Sequence, residues 1–153
     1  MVLSMSIWIY LLAAAVGISG TMMLMLKPKK DVIRRAVRLG LFLFAFDFMF
    51  ENAGLLLGYW HTSGGLVQLG AVPIEVTVIA FLAGHAYAML FPRKFDWRVA
   101  LPTSLLIAVA GAGIEAIINS QGALIYTGGW TSLHALVAYF VAFLIMHKAN
   151  SML

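Results

Sequence analysis

The sequence predicts an all-α integral membrane protein, a single domain that crosses the bilayer as a bundle of five helices. Of its 153 residues 63% are hydrophobic and only 10% are charged, whereas a soluble domain has ~25% charged residues. A bilayer core ~30 Å thick needs about 20 mostly apolar residues per helix. Five such segments cover the chain, at residues 5–26, 38–59, 72–91, 99–119 and 130–147.

The positions of the basic residues predict the orientation of these spans. All 10 Lys and Arg residues fall on one side: Lys27, Lys29, Lys30, Arg34, Arg35, Arg38, Arg93, Lys94, Arg98 and Lys148. Because basic residues accumulate in cytoplasmic loops, we expect a multi-pass plasma-membrane protein with its N-terminus outside and its C-terminus in the cytoplasm. The net charge of +4 then reflects topology, and no nucleic-acid partner is expected. The basic loop after the first span favours a retained helix over a cleaved signal peptide.

The residue types limit the available chemistry. The chain has no cysteine, which excludes disulfides, thiolate metal sites and thiol nucleophiles. An oxygen-rich set with one imidazole is a candidate metal site, namely Glu51, Glu75, Glu115 and His134. Neither a Glu-x-x-His pair nor an HExxH motif occurs, so the sequence leaves metal and cofactor unassigned.

Acidic residues inside the expected spans are the main functional signal. They are Asp47, Glu51, Glu75 and Glu115. An ionised carboxylate near the bilayer centre costs ~2.5–3.5 kcal/mol even on the most lenient scale, so such groups face the bundle interior and have a partner or a function. The direction of each span places them toward the outer side of the membrane. We therefore expect a polar pocket in the outer leaflet, with these four acids as its catalytic groups.

Five further side chains are expected to line this pocket as ligand-binding residues: Asn52, Trp60, Asn119, Trp130 and His134. Two structural alternatives stay open for the acids. Asp47 and Glu51 lie four residues apart on one helix face and can form a hydrogen-bonded pair that only holds helices together. Glu75 closely follows Pro73 and can be a first-turn carboxylate stabilised by the helix dipole.

Histidines and glycines outside this set have structural interpretations. His85 is interpreted as a hydrogen-bonded core histidine, and His61 and His147 as solvated residues of loops or helix ends. Gly54 and Gly58 have the GxxxG spacing that predicts close packing between helices. The two halves of the chain also echo each other, which leaves an internal duplication open. The echo pairs Glu51, Gly54 and Trp60 with Glu115, Gly122 and Trp130.

Carboxyl groups in apolar surroundings favour the neutral form, which can donate a proton. Polyprenyl and carotenoid ligands dissolve in the bilayer, and protonation of one of their double bonds yields a carbocation. A second carboxylate and aromatic faces stabilise such a cation. The pocket therefore favours acid–base chemistry on an isoprenoid-like ligand.

Three short motifs point in the same direction: Asp47, Gly58-Tyr59-Trp60 and Pro73-Ile74-Glu75. Together they resemble the small membrane domains of lycopene cyclases and their carotenoid-hydratase relatives. The resemblance covers residues 47–75 and implies that Asp47, Trp60, Pro73 and Glu75 belong to an isoprenoid site. The Pro-x-Glu-Glu segment of that family is Pro-Ile-Glu-Val here, with one acid fewer.

These patterns predict an acid–base isomerase, hydratase or cyclase for an isoprenoid-like ligand, with Glu75 and Glu51 as proton donor and counter-charge. Two other classes stay open, so the sequence does not decide whether the protein is an enzyme. A chain with so little mass outside the membrane can be a non-catalytic accessory subunit that packs on partner transmembrane subunits. A small proton-coupled transporter would use the same carboxylates as a relay.

Overall fold

The computed structural model describes residues 6–70 and 72–153, which form five helices and four short strands. In chain order these are α1 (Ile7–Leu26), α2 (Lys30–Leu56), β1 (Trp60–Thr62), β2 (Gln68–Leu69), β3 (Val72–Pro73), α3 (Ile74–Leu90), α4 (Trp97–Ser120), β4 (Leu124–Tyr126) and α5 (Ser132–Met152). Residue 5, where the first span is expected to begin, and residue 71 of the first outer loop lie outside the described residues. The expected helical architecture is confirmed at the level of five helices.

Four of these helices, α1, α2, α4 and α5, are long and apolar enough to cross a membrane. The fifth, α3, has 17 residues, which corresponds to about 26 Å at 1.5 Å per residue. It is therefore shorter than a ~30 Å bilayer core. The expected span 72–91 was too long, because residues 72 and 73 form strand β3 and the helix begins only after Pro73.

Helix α2 begins at Lys30, earlier than the expected boundary at residue 38. Most of the segment expected as a basic loop is therefore helical, and only Lys27–Lys29 connects α1 to α2. The expectation followed apolar residues alone, whereas lysine and arginine are good helix formers in water. Helix α1 ends at Leu26, and Lys27 caps it with a left-handed backbone conformation at φ 43°.

The helices pack as two main pairs, α2 with α3 and α4 with α5, and α1 packs against α3. The backbones of α2 and α3 approach closely at Gly84, where a Cβ atom would lie 2.7 Å from the carbonyl oxygen of Leu39. Buried apolar residues form one cluster between these helices and α5: Ala36, Leu39, Leu43, Tyr87, Ala88 and Met146. A second cluster, at the opposite end of the bundle, contains Trp8, Trp60, Ile118 and Leu124.

The loops at this second end are joined by a short β-ladder that the sequence did not predict. Strands β1 and β4 pair antiparallel, with Trp60 opposite Tyr126 and Thr62 opposite Leu124. Strands β2 and β3 form a second antiparallel pair. The indole nitrogen of Trp8 donates to the carbonyl of Ser63 at 2.9 Å and attaches α1 to the same end. We call this the ladder end, and the opposite end, with segments 27–38 and 93–98, the basic end.

Candidate functional site

Glu51 on α2 is held by the first residue of β1. The Nε1 atom of Trp60 donates a hydrogen bond to Oε2 of Glu51 at 2.8 Å. After α2 the chain turns back so closely against this helix that a Cβ atom on Gly54 would overlap the Trp60 indole ring. Gly54 therefore makes room for Trp60 and not for a neighbouring helix, and a Cβ atom on Gly58, which has φ +72°, would meet nothing within 4 Å. The helix contact expected from the GxxxG spacing is absent at both glycines.

Glu115 on α4 has two tyrosine partners. The hydroxyl of Tyr126 in β4 donates to Oε1 of Glu115 at 2.7 Å, and the Tyr139 side chain on α5 forms a hydrogen bond to the same carboxylate. Gly111, one turn earlier on α4, lies against this tyrosine, and a Cβ atom there would be 3.1 Å from the Tyr139 ring. Burial, followed by the hydrogen bond and charge of Glu115, raises the pKa of Tyr126 above its ordinary value.

Asp47 completes a group of three acids. Its Oδ2 atom is buried without a hydrogen-bond partner, and the carboxyl group interacts electrostatically with Glu51 on the next turn of α2. The Tyr139 side chain lies within the electrostatic reach of all three acids. The structure therefore brings together Asp47, Glu51, Glu115, Tyr126 and Tyr139, which we call the acid–tyrosine site.

An aromatic wall borders this site and consists of Phe50, Tyr59, Trp60 and Trp130. The ring centroids of Trp60 and Trp130 are 4.6 Å apart, those of Phe50 and Trp60 are 5.4 Å apart, and those of Tyr59 and Trp130 are 5.6 Å apart. Trp60 belongs to both features, because its nitrogen binds Glu51 while its ring packs in the wall. Negatively polarised ring faces thus lie beside buried acids.

A largely apolar groove of about 570 Å³ runs along α5 from the wall, lined by Trp130, Leu133, His134, Val137, Ala138 and Val141. Sites for small hydrophobic molecules commonly have volumes of ~300–1,000 Å³ and apolar linings. The ring of His134 stacks on Trp130 with a centroid distance of 5.4 Å. The groove and the wall therefore share Trp130 and together provide an apolar surface at the ladder end of α5.

Glu75 lies outside the acid–tyrosine site. It lies in the first turn of α3 with only 1% of its surface exposed, and its Oε1 atom accepts a hydrogen bond from the backbone N–H of Leu66 at 2.6 Å. Its other oxygen is buried without a partner, and a Cβ atom on Gly65, which has φ +92°, would lie 3.1 Å from that oxygen. Glu75 thus orders the loop after β1, and this placement matches the first-turn alternative.

The two asparagines expected as ligand-binding residues make local hydrogen bonds. The side-chain nitrogen of Asn52 donates to the carbonyl of Phe48 at 2.7 Å, one turn earlier on α2. That of Asn119 donates to the carbonyl of Leu124 at 3.0 Å and closes the turn between α4 and β4. These bonds position the backbone at the ladder end.

The histidines differ from one another. His134 is exposed and forms a hydrogen bond with the Thr131 hydroxyl at 2.9 Å. His85 forms one with the Ser19 hydroxyl at 3.1 Å, as a core histidine should. The interpretation of His147 as solvated is wrong, because only 1% of its surface is exposed and its Nδ1 atom lies 2.5 Å from the Tyr87 hydroxyl. It lies on the last turns of α5, where helix α3 covers it.

The sequence analysis missed both tyrosines of the site. Tyr139 lies in the middle of an apolar helix, where a hydroxyl group needs a buried partner, and that signal was available from the sequence. Tyr126 lay in a loop near an expected membrane interface, which is an ordinary place for a tyrosine. Its role became visible only when β4 was paired with β1.

Within residues 6–70 and 72–153, no three His, Asp or Glu side chains are grouped so that they could hold a metal ion. The four residues named above as a candidate metal set are therefore not brought together.

Comparison of the chain with protein-family models, curated proteins and solved structures finds no match. Fold and site alone define its class, a helical protein compatible with a multi-pass membrane protein, with acids and tyrosines gathered near one end.

Proposed function

We propose that the protein is a multi-pass membrane protein that performs acid–base chemistry on an isoprenoid-like hydrophobic ligand, as an isomerase, hydratase or cyclase. The observation that carries this proposal is that the buried Tyr139 side chain interacts electrostatically with Asp47, Glu51 and Glu115 and forms a hydrogen bond with Glu115. The neighbouring aromatic wall and the apolar groove on α5 support a hydrocarbon ligand. The resemblance to lycopene cyclase domains supports the same ligand class through Asp47 and Trp60, whereas Glu75, which also carries it, lies outside the acid–tyrosine site.

Membrane insertion is supported by the distribution of side chains. Large apolar residues on the helix surfaces are widely exposed, including Leu24 at 77%, Leu56 at 86% and Leu106 at 71%. A soluble monomer rarely exposes such extensive apolar surface. With the basic end in the cytoplasm, the acid–tyrosine site lies toward the outer face of the plasma membrane.

The absence of native cysteines makes this topology directly testable. Gln121→Cys places a single thiol at the ladder end, and Lys94→Cys places one at the basic end; both positions are exposed. A maleimide that cannot cross membranes should label the first variant in intact cells and the second only after lysis. The reverse pattern would invert the proposed orientation, and labelling of neither variant before lysis would contradict an outward ladder end.

The proposed reaction is neutral in electrons. A carboxylic acid of the site transfers its proton to one carbon of a ligand double bond, which leaves a carboxylate and a carbocation. Loss of a proton from an adjacent carbon gives an isomer. Attack by another double bond gives a cyclic cation that becomes a neutral ring when it loses a proton, and addition of water gives an alcohol after proton loss. Each route returns one proton to the site, so no oxidant or reductant is needed.

The hydrogen bonds support different proposed roles for the acids. Two hydroxyl groups donate to Glu115, and such donors stabilise a carboxylate, so Glu115 is suited to be the counter-charge of the cation. The unpartnered oxygen of Asp47 is suited to carry the proton that is transferred. Glu51, held by Trp60, lies between them and can return the proton. In this proposal Glu75 maintains the loop and does not contact the ligand.

Lycopene is the probe that tests this function. Its conversion is measured in bacterial membranes that contain lycopene together with the purified chain or one of its variants. Asp47→Asn and Glu115→Gln should each lower conversion at least about 100-fold, with helix content unchanged. Asp31→Asn, at the basic end, is the matched control and should convert lycopene normally. If both site variants retain full conversion, the acids are structural. If the unmodified chain neither converts lycopene nor shows quenching of tryptophan fluorescence by it, the ligand class is wrong.

A second candidate function is a proton-coupled transporter. Buried polar pairs occur between the two ends, namely Ser19 with His85 and Tyr87 with His147. These pairs place buried polar groups closer to the basic end than the acids on which the sequence prediction of a relay was based. Proton flux into liposomes that contain the purified chain, abolished by Asp47→Asn and His147→Leu, would favour this function over catalysis.

A further inference from the structure

The basic end contains a cleft that the proposed chemistry does not use. Its volume is about 860 Å³, and it is lined by five cationic side chains, Lys30, Arg34, Arg35, Arg38 and Arg93, together with Asp31, Val32 and Leu153. The groove on α5, by contrast, has an almost wholly apolar lining. The cleft thus concentrates positive charge in a concave surface.

Two different parts of the chain contribute these cations. Lys30, Arg34 and Arg38 are spaced four residues apart, so they lie along one face of the first turns of α2. Arg93 comes from the connection between α3 and α4 and repels Arg35 electrostatically. Packing of α2 on α3 holds these like charges together, and the Arg35 guanidinium donates to the carbonyl of Ala88 at 2.6 Å. Such a cluster is stabilised by a bound anion.

We propose that this cleft binds the phosphate of an anionic phospholipid headgroup. Guanidinium groups bind phosphate oxygens in pairs with high geometric specificity. Basic pockets at the cytoplasmic ends of transmembrane helices are suited to lipid headgroups, because the lipid is already present at that depth. The apolar side chain of Val32 also lines the cleft and can contact the first acyl carbons. This inference rests on the proposed membrane insertion but not on the acid–base chemistry.

The test is native mass spectrometry of the full chain in detergent, titrated with dioctanoyl phosphatidylglycerol or dioctanoyl phosphatidylcholine. We expect one molecule of phosphatidylglycerol to bind at least about 10-fold more tightly than phosphatidylcholine. Arg34→Gln combined with Arg93→Gln should weaken that binding about 30-fold. Each basic residue near an anionic lipid contributes about 1 kcal/mol, and the loss of two such contributions corresponds to this factor. The matched control is Lys94→Gln with Arg98→Gln, which removes the same charge from the same end and should change binding less than about 3-fold.

Asp31→Asn provides a measurement that does not depend on the arginine variants being folded. Removal of this acid should tighten phosphatidylglycerol binding about 3- to 5-fold. Equal affinity for the two lipids, or equal weakening in both double variants, would overturn the proposal. Displacement of the lipid by inorganic phosphate, but not by chloride at the same ionic strength, would show that the ligand is a free anion and also overturn it.

The outcome can be separated from that of the proposed function. Asp47→Asn and Glu115→Gln should bind phosphatidylglycerol like the unmodified chain, whatever happens to lycopene conversion. A chain that stays in membranes after alkaline carbonate extraction but does not prefer phosphatidylglycerol would refute the lipid site alone. Release of the chain by carbonate would refute membrane insertion and the lipid site together.

Discussion

The α2–β1 and α4–β4 halves of the site share a backbone plan but differ in polar chemistry. In each half a glutamate near the end of the helix accepts a hydrogen bond from an aromatic residue of the following strand, Trp60 for Glu51 and Tyr126 for Glu115. These two aromatic residues lie directly opposite each other in the β-ladder. The correspondence supports the internal duplication that the sequence left open, with Tyr126 and not Trp130 as the counterpart of Trp60.

The difference between the halves lies in what surrounds each glutamate. Glu51 has one N–H donor and a second acid, Asp47, on the preceding turn. Glu115 has two hydroxyl donors, from Tyr126 and Tyr139. Neighbouring acids disfavour double ionisation, whereas hydroxyl donors stabilise a carboxylate. One plan therefore yields a half in which two acids lie on neighbouring turns and a half in which two hydroxyl groups donate to one carboxyl group.

The largest expected effect is a loss of stability on substitution of Trp60, the buried member of the Trp60–Tyr126 pair in the β-ladder. Trp60 is only 5% exposed and packs on Phe50 and Trp130, so Trp60→Ala should lower the free energy of unfolding by about 3–5 kcal/mol. Tyr126→Ala removes a half-buried side chain and should cost less. Unfolding in mixed micelles with increasing dodecyl sulfate measures both. Equal losses would show that the two halves contribute alike to the ladder end.

Glycine substitutions test whether the close packing of Trp60 explains why its loss should lower stability more than the loss of Tyr126. Gly54→Ala places a Cβ atom within the Trp60 indole ring and should cost about 1–3 kcal/mol. Gly113→Ala is the matched control, because its Cβ atom meets nothing within 4 Å and alanine favours the helix by up to about 1 kcal/mol. The same unfolding titration compares them. A Gly54→Ala protein as stable as the Gly113→Ala protein would mean that Trp60 is easily displaced.

Deletion of single hydrogen-bond donors sharpens the comparison further. Trp60→Phe removes the N–H donor of Glu51, and Tyr126→Phe removes one hydroxyl donor of Glu115. We expect a loss of about 1–2 kcal/mol for the first variant and a smaller loss for the second, because Tyr139 still donates to Glu115. Combining each variant with Glu51→Gln or Glu115→Gln gives the coupling energies. A larger loss for Tyr126→Phe would reverse the assigned difference between the halves.

The same two halves show what sequence patterns can predict. Apolar segments of sufficient length predicted all five helices, because an uninterrupted apolar run of about 20 residues favours a helix over a strand. The start of α2 and the length of α3 were misjudged where charged residues continue a helix and where Pro73 separates a strand from a helix. Acids in apolar segments drew attention to Asp47, Glu51 and Glu115, which all interact electrostatically with Tyr139 in the structure.

The rest of the site could not be predicted because it depends on long-range pairing. Strands β1 and β4 have three residues each, too few for a recognisable alternation of side chains. Their pairing brings Trp60 and Tyr126 to the two glutamates, and it also leaves Glu75 with a loop outside the acid–tyrosine site. Residue type drew attention to the acids, whereas only the fold shows that Trp60 and Tyr126 donate hydrogen bonds to two of them.

The smallest expected effect is on the ionisation of Tyr126. Burial, and then the hydrogen bond and charge of Glu115, raise the pKa of this phenol above 10.0, so the folded state binds the phenolic proton more tightly than the unfolded state. Its contribution to stability is therefore complete below pH 10 and decreases as the pH rises further. Near pH 10 the phenolate absorbance at 295 nm should be the same in the unmodified chain and in Tyr126→Phe, and Glu115→Gln should let Tyr126 ionise at lower pH. A half-ionised Tyr126 near pH 10 in the folded protein would mean that Glu115 is not the anion of its half.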